Sequence, residues 1–296
     1  MPGCVDVADL APLDAEKGTA AADRFRLVDI ADADDPAFDA CWDLLAGEFL
    51  ARSELEDREV LRGFLRQRTL QYGGGRHGTY HVIAAYEGDR LVGARDCYVD
   101  VDPGLRTCLV ALSHVLVVPE CRRSGLAALL RTAPLTLARR ALADRPGWPI
   151  VLVAEMDPVD PAAPETVVRL VAYGRSGFVA LDPRRLPYSQ PLLGSEVPDL
   201  AVTALPMLVV VRTVGLDAVA PEIAGLFLAL FHGTHRMYLA AERVDPSEAH
   251  ARRALDATTD PVPLLTLPTD AGDLPALTRL TRDAVLPLYP PGLRGP

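Results

Sequence analysis

The sequence predicts an α/β fold of the α+β kind: a mixed, mainly antiparallel sheet flanked by helices, with a helical extension at its C-terminal end. Three observations predict it. Residues 80–117 hold short β-rich runs separated by turn residues, the pattern of an antiparallel meander. At Val117-Val118-Pro119-Glu120-Cys121-Arg122-Arg123-Ser124-Gly125 the last of those runs meets a small polar turn. Beyond the turn Leu126, Leu129, Leu130, Ala133, Leu137 and Ala141 recur at helical spacing, one apolar stripe to lay on a sheet.

In chain order, residues 1 to about 22 are small, acidic and without period, and are expected to be a poorly ordered leader. Arg24–Ile30 alternates like a half-buried strand. Asp35-Pro36 supplies a helix N-cap and first-turn proline, and Phe38, Trp42, Leu45 and Phe49 follow on one face. A second helix is expected from Glu54 to Leu70, with Val60, Leu61, Phe64 and Leu65 inward. The glycine-rich run Tyr72–Gly78 reads as a lid or as a flexible connection. Strands are expected at Tyr80–Tyr86 and Leu91–Val99, joined by Glu87-Gly88-Asp89-Arg90, then at Cys108–Val117 after the Asp102-Pro103-Gly104 turn.

Pro134 interrupts the helix after the polar turn; it has no N–H for the Leu130 carbonyl, so a kink is expected there. Ile150–Glu155 reads as a strand, Glu165–Tyr173 as a helix after a proline-rich loop, and Phe178–Leu181 and Met207–Val211 as the last two strands. The stretch Asp182–Pro206 separates them as a long excursion. Pro221–Ala240 is a strongly apolar helix and Ser247–Ala257 a polar one. This final segment, residues 215–296, either docks on its own chain or forms a subunit interface. The expected division is therefore a leader 1–22, a domain 23–214 and an extension 215–296.

Composition excludes several classes. A formal charge of −10 and a pI near 5.1 leave no basic stripe for a nucleic acid, and weigh towards a neutral or cationic partner. Lys17 is the sole lysine among 30 basic residues, a bias that fits a GC-rich genome. Cys4, Cys41, Cys97, Cys108 and Cys121 are odd in number and widely spaced, as free thiols in a reducing cytosol would be. The start carries Asp6, Asp9 and Asp14 where a signal peptide needs a basic and then apolar run. No apolar run reaches membrane-spanning length, since Leu205–Phe231 is broken by Arg212, Asp217, Pro221 and Glu222. A cytoplasmic protein is expected. His232-Gly233-Thr234-His235 offers two ligands at helical spacing but no third, so no metal is expected. No Ser/His/Asp signature of a hydrolase is evident.

The polar turn is the candidate site. A turn running into a helix aims backbone N–H groups at one place, and the helix N-terminus adds partial positive charge, a combination that binds phosphate. Neither G-x-x-x-x-G-K-[ST] nor G-x-G-x-x-G is present. Arg122-x-x-Gly125-x-Ala127 is present instead, and it resembles the pyrophosphate-binding motif of the GNAT N-acyltransferase superfamily, R/Q-x-x-G-x-G/A. Tyr173-Gly174-Arg175-Ser176-Gly177-Phe178 resembles the Y-x-x-x-G-F that closes that family's fourth helix, and the strand Ile150–Glu155 lies between the two. The resemblance covers roughly residues 24–214.

It implies acyl transfer from acetyl-coenzyme A to the amine of a small molecule or peptide, by direct attack on the thioester. The pyrophosphate would lie on the backbone N–H groups of Arg123, Ser124, Gly125, Leu126 and Ala127, with Arg122 adding charge. A side chain at Gly125 would fill the space of the phosphates. Backbone groups at Leu116, Val117 and Val118 would pair with the pantetheine arm and polarise the carbonyl. Tyr173 matches the family's general acid, with a tyrosine packed at a helix end as the plain reading. Thr166 stands where many members have Asn, and Ala111 where some have a glutamate base. Glu155 and His114 are then the candidate bases, their plain readings a strand-end surface charge and a core histidine; a chain of water could also carry the proton. Helices 36–49 and 54–70 would wall the acceptor site. The alternative is a coenzyme A binding or assembly protein that keeps the fold without turnover.

Overall fold

A computed structural model describes residues 4–52, 54–67, 69–73, 76–192, 204–257, 259–270, 272–273 and 278–294. Gly74 and Gly75 of the glycine run and residues 193–203 of the long excursion lie outside the described residues. The fold is mixed α/β, with a mainly antiparallel sheet flanked by helices. It divides into two compact units, residues 1–152 and 153–296.

The first unit begins with an element that its composition does not announce. The expected leader forms a 3-10 turn at Val7–Asp9, started by the Asp6 side chain on the Ala8 N–H, and then helix α1, Ala15–Arg24. Gly18 of α1 lies against Leu10, which is buried with Ala11 and Ala21. Strand β1 (Arg26–Ile30) and helix α2 (Pro36–Phe49) follow, the Asp35 carboxylate capping the Ala37 N–H at 2.9 Å. The next helix, α3, runs over Arg58–Gln67 and not Glu54–Leu70. Its expected first turn is a loop because those carbonyls have other partners: Glu54 O accepts from His114 and Glu56 O from Trp42. Its expected end belongs to strand β2 (Leu70–Gly73), where Leu70 pairs with Gly78.

Strands β3 (Arg76–Glu87), β4 (Arg90–Asp102) and β5 (Thr107–Val117) form the meander. The order is β1-β3-β4-β5, every ladder antiparallel, with β2 also on β3. β4 is buried on both faces beyond Leu91, so its alternate side chains serve two layers. On one face Gly93 meets Leu130 and Arg95 reaches the Leu130 carbonyl of helix α4, Leu126–Ala141. On the other face Asp96 and Tyr98 join Tyr80 and Phe64 of α3. α4 runs through Pro134 as one helix, and the buried Arg95 guanidinium donates at 3.3 Å to the carbonyl that the proline leaves without an N–H.

The leader lies along α4 from end to end. Asp9 pairs with Arg139, Asp14 with Arg131 at 3.5 Å, and Lys17 and Ala21 lie against Gly125. Arg131 and Arg139, eight residues apart, share one face of α4, and Lys17 and Ala21, four apart, share one face of α1.

The chain enters the second unit within strand β6 (Ile150–Met156). Helix α5 (Pro164–Arg175) ends at Gly177, whose φ of 79° lets the Phe178 N–H turn back to the Tyr173 carbonyl at 3.1 Å. Strand β7 (Val179–Leu181) is followed within the excursion by β8 (Tyr188–Pro191). β8 pairs with the start of β9 (Ala204–Val214), and β7 with its end.

The apolar helix α6 spans Pro221–His235, ending before the expected Ala240, and α7 spans Ala241–Leu255. Residues 215–296 dock on residues 153–214. Strand β10 (Leu264–Thr266) pairs with β7, Ser247 of α7 bonds Ser189, and the Tyr289 hydroxyl donates to the Tyr188 carbonyl at 2.6 Å. A side chain at Gly174 would strike the Pro268 carbonyl, with Leu267 Cβ at 3.1 Å, so this helix end is where the extension's backbone approaches. Helix α8 is the single turn Arg282–Val285. No helix among the described residues is long and apolar enough to cross a membrane.

Candidate active site

The turn after β5 contains two left-handed residues. A 3-10 turn at Pro119–Cys121 leads to Arg122 in extended backbone, then Arg123 at φ 63° and Gly125 at φ 90°. Turn conformations of this kind are ones in which successive backbone N–H groups can form an anion-binding concavity. The Ser124 hydroxyl donates to Cys121 O at 2.6 Å and receives the Leu126 N–H at 3.4 Å. The Gly125 carbonyl accepts the Ala128 and Leu129 N–H groups and so starts α4. The N–H groups of Arg123, Ser124, Gly125 and Ala127 have no acceptor among the described residues. Arg122 and Arg123 are exposed, Ser124, Gly125 and Ala127 half-buried, and the Leu126 side chain lies in the core.

Gly125 is needed here for a reason other than the expected one. The place of its missing side chain is filled by α1: a Cβ would collide with the Lys17 carbonyl and meet Ala21 Cβ at 3.1 Å. The glycine admits the chain's own helix as well as the φ of 90°.

Upstream, Val117 pairs with Gly93, Leu116 with Ala94, and the Val118 N–H donates to Val92 O at 3.0 Å. Ala111 is buried opposite Tyr98. Between these points the ladder slips: Cys97 faces Leu112 but Arg95 faces Val115, so Ser113 and His114 together oppose Asp96 in a β-bulge. Asp96 accounts for it. Its carboxylate receives the His114 N–H at 2.7 Å, the His114 Nδ1–H at 3.1 Å and the Tyr80 hydroxyl at 2.9 Å.

His114 is therefore no lone imidazole. Burial opposes its charge, yet the Asp96 carboxylate beside it prevails and pushes its pKa up to about 10. Asp96 stays ionised below the usual range although burial alone would raise it, because His114 and Tyr80 donate to it. With Nε2–H given to Glu54 O at 2.6 Å, both ring nitrogens are donors. An imidazolium in that state has no lone pair, so His114 cannot take the proton of an amine near neutral pH.

In the second unit Glu155 accepts a short hydrogen bond from the Tyr188 hydroxyl. Tyr188 is wholly buried, and burial with the neighbouring Glu155 holds its pKa well above the usual phenol value, so it remains a donor. Tyr173 is buried with its ring edge-on to Phe178 at 4.9 Å. The Thr166 hydroxyl donates to Ala163 O at 2.7 Å and accepts the Asp160 N–H at 3.1 Å, which ties down the loop before α5 and engages it locally. His232 and His235 are both buried, and burial pushes their pKa values down to about 4 and about 3. His232 donates Nδ1–H to Leu228 O at 2.9 Å and faces the Ser247 hydroxyl at 3.3 Å, the bonding of a core histidine. Among the described residues no group of three or more His, Cys, Asp or Glu could hold a metal ion.

No family model matches the sequence, and no curated protein matches it. Among the solved structures that match are acetyltransferases. An acetyltransferase of the GNAT family from Bacteroides thetaiotaomicron is 22% identical, over 72% of this chain and 97% of its own, with a TM-score of 0.44. An acyl-CoA N-acyltransferase from Pseudomonas aeruginosa is 19% identical, over 64% of this chain and 99% of its own, at 0.37. An aminoglycoside acetyltransferase from an uncultured soil metagenomic sample, in complex with sisomicin, is 19% identical, over 50% and 88%, at 0.35.

Sequence reasoning missed Asp96, Tyr80, Tyr188 and the part Lys17 plays at Gly125. The signal for Asp96 was present: Arg95-Asp96 places two adjacent charges inside an apolar strand, one for each face, and buried charges call for partners.

Proposed function

We propose that this chain is an acyl-coenzyme A dependent N-acyltransferase of the GNAT superfamily, transferring acetyl to a primary amine of a small molecule or peptide. The observation that carries the reading is the turn at Arg123–Ala127, where the N–H groups of Arg123, Ser124, Gly125 and Ala127 have no acceptor among the described residues and a helix N-terminus adds positive charge. A diphosphate fits donors of that kind, and the exposed Arg122 immediately precedes them in the chain. Acetyl-coenzyme A supplies the activated thioester; the rest of the chemistry falls to the chain.

In this reading backbone groups of Leu116, Val117 and Val118 orient the acyl arm and polarise its carbonyl. Glu155 takes the amine proton, directly or through water, and Tyr173 protonates the departing thiolate. Tyr188 holds the Glu155 carboxylate in place. His114 takes no proton and serves as a positioning residue. The acidic chain favours a cationic acceptor, and a cytoplasmic setting suits five cysteines that are all free.

Calorimetric titration with acetyl-coenzyme A, coenzyme A and ATP tests the reading, beside Arg122→Glu, which puts a carboxylate immediately before that turn without touching α1. Binding of both coenzyme A forms, weakened at least tenfold by the variant, supports it. A folded protein that binds neither coenzyme A form is no acyltransferase of this kind. A non-catalytic coenzyme A binding protein is favoured by one observation, that both ring nitrogens of His114 are engaged, by Asp96 and by Glu54 O, downstream of Ala111. Thiol release across a panel of amines decides between the two.

A further inference from the structure

We propose that Asp96 and His114 are positioning residues that join the acyl-donor strand to the loop Glu54–Asp57, so that donor binding along Leu116–Val118 is transmitted to that loop. The inference rests on the coenzyme A reading above.

Four observations on one side of the sheet lead to it. Asp96 receives both the backbone and ring N–H of His114, and so pins the two-residue bulge that precedes Val115–Val118. His114 uses its other ring nitrogen on Glu54 O at 2.6 Å, which makes it a direct link from β5 to the loop. The loop is held at its far side by Trp42 of α2, whose indole N–H donates to Glu56 O at 3.2 Å. The assembly is buried: Asp96 is 1% exposed and His114 9%, with Phe49 of α2 against the imidazole at 5.1 Å.

A link of this kind is stiff. A carboxylate that accepts three donors leaves an imidazolium with two opposed hydrogen bonds little freedom to turn. Any shift of the strand end that accompanies pairing with a ligand must then move the Glu54 carbonyl or break a buried, charge-assisted bond. In the acyltransferase reading the loop lies between the two helices assigned to the acceptor, so the link lets a bound donor set the acceptor wall.

Trp42 reports on the loop, and Trp148 is the only other indole in the chain. In a Trp148→Phe protein, Trp42 emission is followed during titration with coenzyme A, while calorimetry records binding independently. Trp42 emission is expected to change and to saturate with the calorimetric isotherm. With Asp96→Asn or His114→Gln added, the change is expected to fall to less than a third of its amplitude at coenzyme A saturation. Should Asp96→Asn not fold, as judged by near-ultraviolet dichroism, His114→Gln decides, since it leaves the Asp96–Tyr80 bond intact. Full amplitude in the variants, or a silent Trp42 while calorimetry reports binding, overturns the coupling alone. Absence of binding by calorimetry in the parent protein overturns the coupling and the coenzyme A reading together.

Discussion

The guanidinium of Arg95 donates to the carbonyl of Leu130 at 3.3 Å, four residues before Pro134. The proline creates an acceptor inside the core, and the strand beneath supplies the donor. The two substitutions should therefore be coupled. Arg95→Met is expected to leave the Leu130 carbonyl unmet at a cost of about 1–3 kcal/mol. In a Pro134→Ala background, where the introduced alanine brings its own N–H, that part of the loss should disappear. A double-mutant cycle by urea unfolding checks this; additive effects would mean that the bond contributes nothing.

Gly125 and Gly88 separate backbone strain from close approach. Both have positive φ, 90° and 59°, but open space surrounds Gly88 whereas α1 fills the side-chain position of Gly125. Gly88→Ala should cost about 1–2 kcal/mol, the penalty of a left-handed non-glycine residue. Gly125→Ala should cost clearly more and should raise amide exchange in α1. Equal losses in thermal unfolding would show that α1 does not press on the turn.

Stability should peak between two histidine limbs. His114 has a folded pKa raised to about 10, so its contribution is complete below the unfolded value near 6.5 and is lost as pH rises through 10. The neighbouring charges behind it are Asp96 and Glu56. His232, lowered to about 4 by burial, contributes fully above 6.5 and loses its contribution as pH falls through 4. Glu248, Arg236 and Arg252 are the charges that face it. His114→Gln should flatten the alkaline limb and His232→Gln the acid limb of a melting-temperature profile.

Tyr188→Phe removes the hydroxyl that donates to Glu155. A carboxylate that loses a donor becomes easier to protonate. If Glu155 is the base, the acid limb of the rate profile moves to higher pH in this variant, and Glu155→Gln removes the limb. An unchanged profile in both would take Glu155 out of the chemistry.

Much of the fold was legible because periodicity and turn chemistry are local. The Asp35-Pro36 start of α2, the meander, the proline-bearing helix and the Gly177 stop of α5 all follow from residues within one turn of each other. The start of α3 was misread because Glu54 and Glu56 suit a helix by themselves, while their carbonyls go to His114 and Trp42. The leader was misread for a related reason. Its alanines and acidic residues lack a strong apolar stripe, and what orders it is the surface of α4, with Arg131 and Arg139 waiting for Asp14 and Asp9.

The candidate site divides along the same line. The spacing of Arg122, Gly125 and Ala127, and the position of Tyr173 before a Gly-Phe ending, were determined by the sequence itself, since a turn into a helix is built from neighbouring backbone. Which groups remain free for chemistry was decided only by tertiary structure. His114 became a doubly bonded cation because β4 brought Asp96 opposite the bulge, and the space beside Gly125 went to α1 from more than a hundred residues upstream. Protonation and access depend on what is packed against a group, and packing joins residues that are distant in the chain.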